Sequence, residues 1–196
     1  MFLACVRVGT LLTSWADVPQ DELSFAMNRL LLGGLTPATR ALLQVSPHHC
    51  WLLMVDAVVL DFDGGLLDAV SSAVYAALAD TLLPKMLVQQ GKDGVASIEM
   101  VDGNTEGVRL GVGAVPIFVT LAQIGNRYVA DALAVEEACA SAQLCAAVNS
   151  EGKVCCTHKS FGRGMHPAQA RQMLHTAVRV GTNRLQCLDS YFAPRS

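Results

Sequence analysis

Residues 58–74, VVLDFDGGLLDAVSSAV, constrain the fold more than any other stretch of the chain. An apolar run ends at Asp61-Phe62-Asp63, two glycines follow, and a helical pattern begins at once. The predicted helix covers 66–82, and one stripe of it is apolar: Leu67, Val70, Val74, Ala77 and Leu78. Because so short a turn separates strand from helix, the stripe must pack back against the strand, which indicates a layered domain of helices and sheet.

The rest of the pattern extends this layered arrangement. A helix is predicted over 19–33, and a long amphipathic helix follows HP at 166–167, with Leu174, Ala177, Val178 and Leu185 on one side. Strands are predicted around Ser46-Pro47, with the second over 51–60, then in KMLVQQ, PIFVTLAQIG and NRYVADA. Strands over 142–149 and 153–159 flank the turn Asn149-Ser150-Glu151-Gly152, which predicts a hairpin. The sequence therefore indicates an α+β domain.

Composition limits the classes of function. Hydrophobic residues make up 52% of the chain and charged residues 16%, and this depletion of charge favours a surface that expects a protein partner. The net charge of −3 gives no overall basic excess, so any contact with RNA must be local or shared with another chain. Seven cysteines without a C-x-x-C pair favour a reducing compartment, and no His or Cys cluster has metal-ligand spacing, so no metal or cofactor is expected.

Asp61 and Asp63 raise the possibility of a magnesium-dependent phosphatase of the haloacid-dehalogenase type. Two acids at this spacing supply a nucleophile, a proton shuttle and magnesium ligands. Thr120 and either Lys153 or Lys159 could complete part of such a site, but the later pair of acids is missing and Gly65 stands where that family has Thr. A D-x-D-G turn also forms for steric reasons alone, and we predict that Asp61, Asp63 and Asp68 are turn and cap residues.

Three separated blocks support a different resemblance. HHCWLLMVDAVVLDFDGGLLDAVSSAVYAAL, VPIFVTLAQIGNRYVADALAVEEACASAQL and GKVCCTHKSFGRGMHP, in this order, resemble an RNase PH-type domain. Within that superfamily the chain is most similar to eukaryotic exosome ring subunits, through His49-Cys50-Trp51, QIGNRYVADA and GRGMHP. The resemblance implies an RNase PH-like fold of the ribosomal protein S5 domain 2-like class. It also implies a ring assembled from RNase PH-like paralogues and S1/KH cap proteins around an RNA channel, found in the nucleus, nucleolus and cytoplasm.

The resemblance also implies that this chain is not an enzyme. Active members follow the D-G-G turn with Thr-Arg-Thr, and their Arg holds the attacking phosphate. Leu67 occupies the position of that Arg, and we place Val115 where a second catalytic acid would stand. Both positions are therefore predicted to be degenerate, and a free phosphorolytic enzyme of the RNase PH type is the less favoured alternative.

Two arginines are candidate RNA contacts, and the start of the chain departs from the family pattern. Arg29 lies on the first predicted helix, and Arg163 lies in the glycine-rich loop FGRGMHP. We expect 1–18 to be an atypical leader, 19–190 to be an RNase PH-like domain that lacks its N-terminal strands, and 191–196 to be a tail. The opening residues mimic a weak signal peptide, but Arg7 interrupts the apolar stretch.

Overall fold

The computed structural model describes residues 5–10, 20–47, 49–90, 96–100, 107–159, 162 and 164–192. The helices in these ranges are Gln20–Gly34 (α1), Pro37–Leu43 (α2), Leu66–Asp80 (α3), Ala134–Ala138 (α4) and Pro167–Phe192 (α5). The strands are Cys5–Thr10 (β1), Gln44–Ser46 (β2), His49–Cys50 (β3), Met54–Val59 (β4), Leu82–Leu83 (β5), Met86–Gln90 (β6), Ala96–Met100 (β7), Val108–Arg109 (β8), Ile117–Ile124 (β9), Arg127–Ala130 (β10), Ala142–Val148 (β11) and Val154–His158 (β12). The mixed α+β class predicted from the sequence is confirmed.

An antiparallel sheet in the order β10-β9-β11-β12 forms the centre of the fold. Its two middle strands are almost entirely buried, as expected for the apolar runs in these segments. The predicted hairpin between β11 and β12 is confirmed. Its turn is held by Asn149, whose backbone N–H donates to the Lys153 carbonyl at 3.1 Å and whose side-chain oxygen accepts from the Lys153 N–H at 2.9 Å.

Helix α3 covers the edge of β9 that β10 leaves open. Strand β10 pairs only with residues 121–124 of β9, so the N–H groups of the preceding residues need other acceptors. The Phe118 N–H donates to the Ser71 hydroxyl at 2.9 Å, and the Thr120 N–H donates to the Asp68 carboxylate at 2.9 Å. Polar side chains on one face of α3 thus take the place of a neighbouring strand.

The apolar stripes of α3 and α5 are shifted slightly from those predicted. On α3, Val70, Val74 and Leu78 are buried as expected, whereas Leu67 is half-buried and Ala77 is exposed. On α5 the buried positions are Met173, Ala177, Gly181 and Leu185, and two of the expected residues, Leu174 and Val178, are half-buried. The difference arises because the spacing of apolar residues defines a helical face only to within about one position.

Two short helices were missed by the sequence analysis. Helix α2 replaces the start of the strand predicted before Ser46-Pro47, and the side chain of Thr36 caps it by accepting from the Thr39 N–H at 3.1 Å. Helix α4 has five residues, too few for periodicity to reveal. The second strand predicted here, over 51–60, forms as β4.

Residues 5–10 fall within the segment expected to be an atypical leader. They form β1, which pairs in parallel with β4 along its whole length, from Cys5 opposite Met54 to Thr10 opposite Val59. Among the described helices, none is long and apolar enough to cross a membrane.

Candidate functional site

The turn between β4 and α3 is built from two acids and two glycines. Gly64 and Gly65 have φ of 97° and 58°, a backbone conformation that glycine adopts without steric penalty. The Asp61 carboxylate accepts from the Phe62 N–H at 2.8 Å, and the Asp63 carboxylate accepts from the Ala134 N–H at 3.4 Å. Both acids are exposed and bond to backbone N–H groups, in agreement with the predicted role as turn and cap residues.

Asp68 differs from this prediction. It stands in the first turn of α3, but its side chain is buried and bonds to other elements of the fold. Its carboxylate accepts from the Thr120 hydroxyl at 2.6 Å as well as from the Thr120 N–H, and the Arg184 guanidinium of α5 lies 3.2 Å away. Asp68 therefore ties α3 to both β9 and α5, a role that local sequence signals do not reveal.

Burial raises the pKa of the Asp68 carboxyl above its ordinary value, because desolvation penalises the charged form. The hydrogen bonds from Thr120 and the charge of Arg184 act in the opposite direction and offset part of this effect. The Thr120 hydroxyl also lies 3.2 Å from the Cys145 sulfur, so its hydrogen-bonding capacity is used within the fold.

A cleft of about 120 Å³ lies beside the start of α3. It is lined by Phe62, Gly65, Leu66, Leu67, Thr120, Glu137, Gln143 and Cys145. Glu137 is one of these lining residues, and its Oε1 accepts from the Gly65 N–H at 3.2 Å and from the Gln143 amide at 2.9 Å. The Gly65 N–H could otherwise donate to a bound anion, but the Glu137 carboxylate already accepts its hydrogen bond.

The chemistry of this cleft disfavours phosphate. Leu67 contributes an apolar side chain where the family resemblance implies a phosphate-binding arginine, and none of the described residues that line the cleft is Lys or Arg. Glu137 adds a negative charge that repels an anion. The sequence alone assigned no role to Glu137 or Gln143. The available signal was the acid pair Glu136-Glu137, which lies in the block VPIFVTLAQIGNRYVADALAVEEACASAQL.

The structure separates the other predicted site residues from the cleft. Val115 is 1% exposed and lies in the core, with its backbone against Gly34 at the end of α1. Leu67 lines the cleft, and the structure does not bring Val115 to it. Val115 was assigned from its place in the sequence, but it lies two residues before β9 and packs into the core.

The residues considered for a phosphatase do not converge. Thr120 bonds to Asp68, on the buried face of α3, and not to Asp61. Lys153 pairs with Glu151 at 2.6 Å, and Lys159 donates to the Gly162 carbonyl at 2.9 Å. Within the described parts of the chain, no group of three His, Cys, Asp or Glu side chains is placed to hold a metal ion.

Of the two candidate RNA contacts, Arg29 lies on the exposed face of α1. Its guanidinium stands 5.8 Å from the centre of the Phe25 ring. Its charge also reaches Cys156 of β12, where it offsets part of the increase in pKa that burial causes. Arg163 lies outside the described residues.

Comparison with known protein families identifies two matching models on this chain. The 3′ exoribonuclease family, domain 1, matches residues 16–84, and the 3′ exoribonuclease family, domain 2, matches residues 114–180. The two matches occur in chain order.

Individual relatives agree with these matches. The chain is 39% identical over 145 residues to the putative exosome complex exonuclease RRP42 of Dictyostelium discoideum, covering 74% of this chain and 45% of the relative. It is 30% identical over 150 residues to the exosome complex component Rrp42 of Methanopyrus kandleri, covering 74% of this chain and 54% of the relative. The chain thus spans about half the length of these curated relatives.

A solved structure shares the fold. A chain of the Archaeoglobus fulgidus exosome, solved with RNA bound to the active site, superposes with a TM-score of 0.72 at 22% identity. The superposition covers 93% of this chain and 70% of the other.

Proposed function

The chain belongs to the 3′ exoribonuclease family of RNase PH-like domains, and from that membership we propose that it is a non-catalytic, structural subunit of an RNA exosome ring. Its relatives in Dictyostelium and Methanopyrus carry exosome names, and both are RRP42 proteins. The corresponding role is that of ribosomal RNA-processing protein 42, which is also called exosome component 7. In that role the chain supports 3′-to-5′ processing and degradation of RNA, including maturation of ribosomal RNA.

The cleft beside Leu67 is the observation that carries the non-catalytic part of the proposal. Phosphorolysis needs a phosphate ion held next to the scissile bond, and a bidentate arginine is the side chain best suited to hold it. The cleft offers Leu67 in place of that arginine, and Glu137 already binds the Gly65 N–H. An anion entering the cleft would meet a carboxylate and an apolar wall.

The partners in this proposal are other RNase PH-like ring subunits, cap subunits with S1 and KH domains, and RNA that passes through the shared channel. The low content of charged residues, 16%, supports a surface largely used for contacts between subunits. The net charge of −3 supports RNA contacts that are local and shared with neighbouring subunits. We place this complex in the nucleus, the nucleolus and the cytoplasm, and the proposed role requires neither a cofactor nor a membrane.

Affinity purification of the tagged chain from cells tests the assembly. We expect other RNase PH-like subunits to be recovered in comparable molar amounts. A Gly64→Val variant, whose turn is sterically blocked, is the matched control and should recover none of them. Recovery of the tagged chain without any exosome subunit would overturn the proposed assembly.

The absence of catalysis is tested separately on the purified chain. RNA labelled at its 5′ end is incubated with the chain, phosphate and magnesium, and shortening from the 3′ end is followed over time. We expect no shortening above a buffer control. Phosphate-dependent release of nucleoside diphosphates that tracks the chain through purification would overturn the non-catalytic assignment.

A further inference from the structure

A groove of about 440 Å³ lies between β4 with its following turn and α3. It is bordered by 55–64, which comprise most of β4 and the turn after it, and by the small residues of one face of α3. Within the described ranges, β1 is the only strand that pairs with β4. In the part of the chain that the structure describes, the second edge of β4 is therefore unpaired, and such an edge is a template for one more strand.

Apolar side chains make up much of the lining, and three alanines of α3 form the helix side of the groove, here called its floor. Ala69, Ala73 and Ala77 stand four residues apart on α3, are all exposed, and leave space above the helix. Val58 and Leu60, on the opposite wall, are 51% and 78% exposed. A contiguous apolar surface of this kind on a folded domain marks a contact site.

The charged side chains that the structure describes at the groove all have the same sign. Asp56, Asp61 and Asp63 belong to its lining, and no Lys or Arg is among the described lining residues. All three carboxylates are exposed, and in the described part of the chain none of them forms an ion pair. Charge complementarity therefore favours an occupant with basic residues beside its apolar ones.

The same charges argue against two other occupants. A second copy of this chain would bring its own three carboxylates to the contact, where like charges repel. RNA would bring phosphates to an acidic and apolar surface, whereas RNA sites carry basic side chains.

We propose that this groove binds an extended segment of another polypeptide, which adds to the open edge of β4 as a strand. The segment carries apolar residues on the face toward Ala73 and Lys or Arg at its ends, near Asp56 and Asp61. Backbone hydrogen bonds to β4 supply affinity, and the apolar floor and acidic rim supply selectivity. The proposal goes beyond the exosome role and does not depend on it.

Three synthetic peptides test the proposal against the full chain by fluorescence anisotropy. The first has nine residues, with alternating valine and threonine between two terminal lysines. The second replaces both lysines with glutamate, and the third places two adjacent prolines at the centre, which removes backbone donors and prevents the extended pairing. We expect the lysine peptide to bind about tenfold more tightly than the glutamate peptide, and the proline peptide not to bind. Equal binding of all three peptides, or binding of none, would overturn the proposal.

Protein variants place the binding in the groove. Ala73→Glu puts a bulky charged side chain on the floor, and Ala168→Glu makes the same change at an exposed position of α5 outside the groove. We expect Ala73→Glu to lower affinity for the lysine peptide at least tenfold and Ala168→Glu to leave it unchanged, while both variants keep the circular dichroism spectrum of the parent chain. Peptide binding that survives Ala73→Glu would place the site elsewhere and contradict the proposal.

A charge exchange provides the second readout. In Asp61→Lys, which leaves Asp56 and Asp63 in the lining, we expect the preference for the lysine peptide over the glutamate peptide to shrink severalfold, and an unchanged preference would contradict the proposed acidic rim. Analytical ultracentrifugation of the parent chain addresses the competing occupant. Formation of a dimer that Ala73→Glu abolishes would show that a second copy fills the groove, and would overturn the proposed partner strand.

Discussion

Asp68 and Thr120 are joined by two hydrogen bonds, one to each carboxylate oxygen. The Thr120 N–H donates to Oδ2 at 2.9 Å, and the Thr120 hydroxyl donates to Oδ1 at 2.6 Å. Arg184 approaches the same Oδ2 at 3.2 Å from α5. A single buried carboxylate thus connects the central sheet to two helices, and the stability of the fold should depend on it.

Removing this carboxylate should destabilise the protein strongly. We expect Asp68→Ala to lower the free energy of unfolding by about 3–5 kcal/mol, because the Thr120 N–H and Arg184 lose a buried partner. Asp68→Asn should lower it by about 1–3 kcal/mol, since the amide keeps an acceptor for Thr120. Urea denaturation followed by circular dichroism measures both. Asp80→Asn, which removes an exposed carboxylate paired with Arg109, is the matched control and should change stability by less than about 0.5 kcal/mol.

The raised pKa of Asp68 should also appear in the pH dependence of stability. In the window between the ordinary pKa of 3.8 and the higher folded value, the folded state holds a proton that the unfolded state has lost. The contribution of this group is therefore greatest below the ordinary pKa and is lost as pH rises through the folded pKa. We expect the stability difference between the parent chain and Asp68→Asn to shrink from pH 4 to pH 7. A difference that grows with pH would show that the folded pKa is depressed instead.

Tyr75 offers a spectroscopic test of the second contact between α3 and α5. Its side chain is 1% exposed, and its hydroxyl donates to the Asp189 carboxylate. Burial first, and then this bond and charge, raise the Tyr75 pKa above its usual 10.0. In a titration followed by phenolate absorbance, we expect the ionisation step at the highest pH to be present in the parent chain and missing from Tyr75→Phe. If the variant instead lacks a step at lower pH, Tyr75 does not ionise last and the expectation is contradicted.

The two glycines of the turn should respond differently to the same substitution. A Cβ on Gly64 would collide with the Ala132 carbonyl, whereas the nearest atom to a Cβ on Gly65 is an Asp131 carboxylate oxygen at 3.6 Å. Both residues have positive φ, which costs about 1–2 kcal/mol for a residue with a side chain. We expect Gly65→Ala to show roughly this loss in thermal or urea denaturation and Gly64→Ala to show a clearly larger one. Equal losses would mean that the turn moves away from α4 without penalty.

Introducing an arginine at position 67 alone should not create phosphate-dependent chemistry. In Leu67→Arg the new guanidinium would meet the Glu137 carboxylate in the same cleft, and the two should pair. We expect this variant to leave RNA intact in the presence of phosphate. The double variant Leu67→Arg/Glu137→Gln frees the arginine, and we expect it to bind inorganic phosphate measurably by calorimetry. Phosphate binding by the single variant at equal strength would show that Glu137 does not control the cleft.

The sequence predicted the elements that depend on local patterns. Helices α1, α3 and α5 and the hairpin of β11 and β12 follow from periodicity, glycine placement and capping, which act over a few residues. Helix α2 carried a readable signal in Thr36 followed by Pro37, a capping residue and a favourable first position, which apolar patterning outweighed.

The candidate site could be predicted only in part, because it is assembled from distant segments. Leu67 was identified from its position after the turn, but its neighbours in the cleft, Glu137 and Gln143, lie about seventy residues away along the chain. Asp68 shows the same limit. An acid in the first turn of a helix is a typical cap residue, and only the tertiary structure reveals that the Asp68 carboxylate accepts a hydrogen bond from Thr120.

The neighbours Leu67 and Asp68 divide two tasks between adjacent positions. One side chain faces the cleft, and the next points into the interior, where it completes the hydrogen bonding of a strand edge. Substitutions at the first position can therefore accumulate without weakening the second. In an architecture with this separation, the chemistry of the cleft can change while the hydrogen bonds that hold the helix to the sheet stay intact.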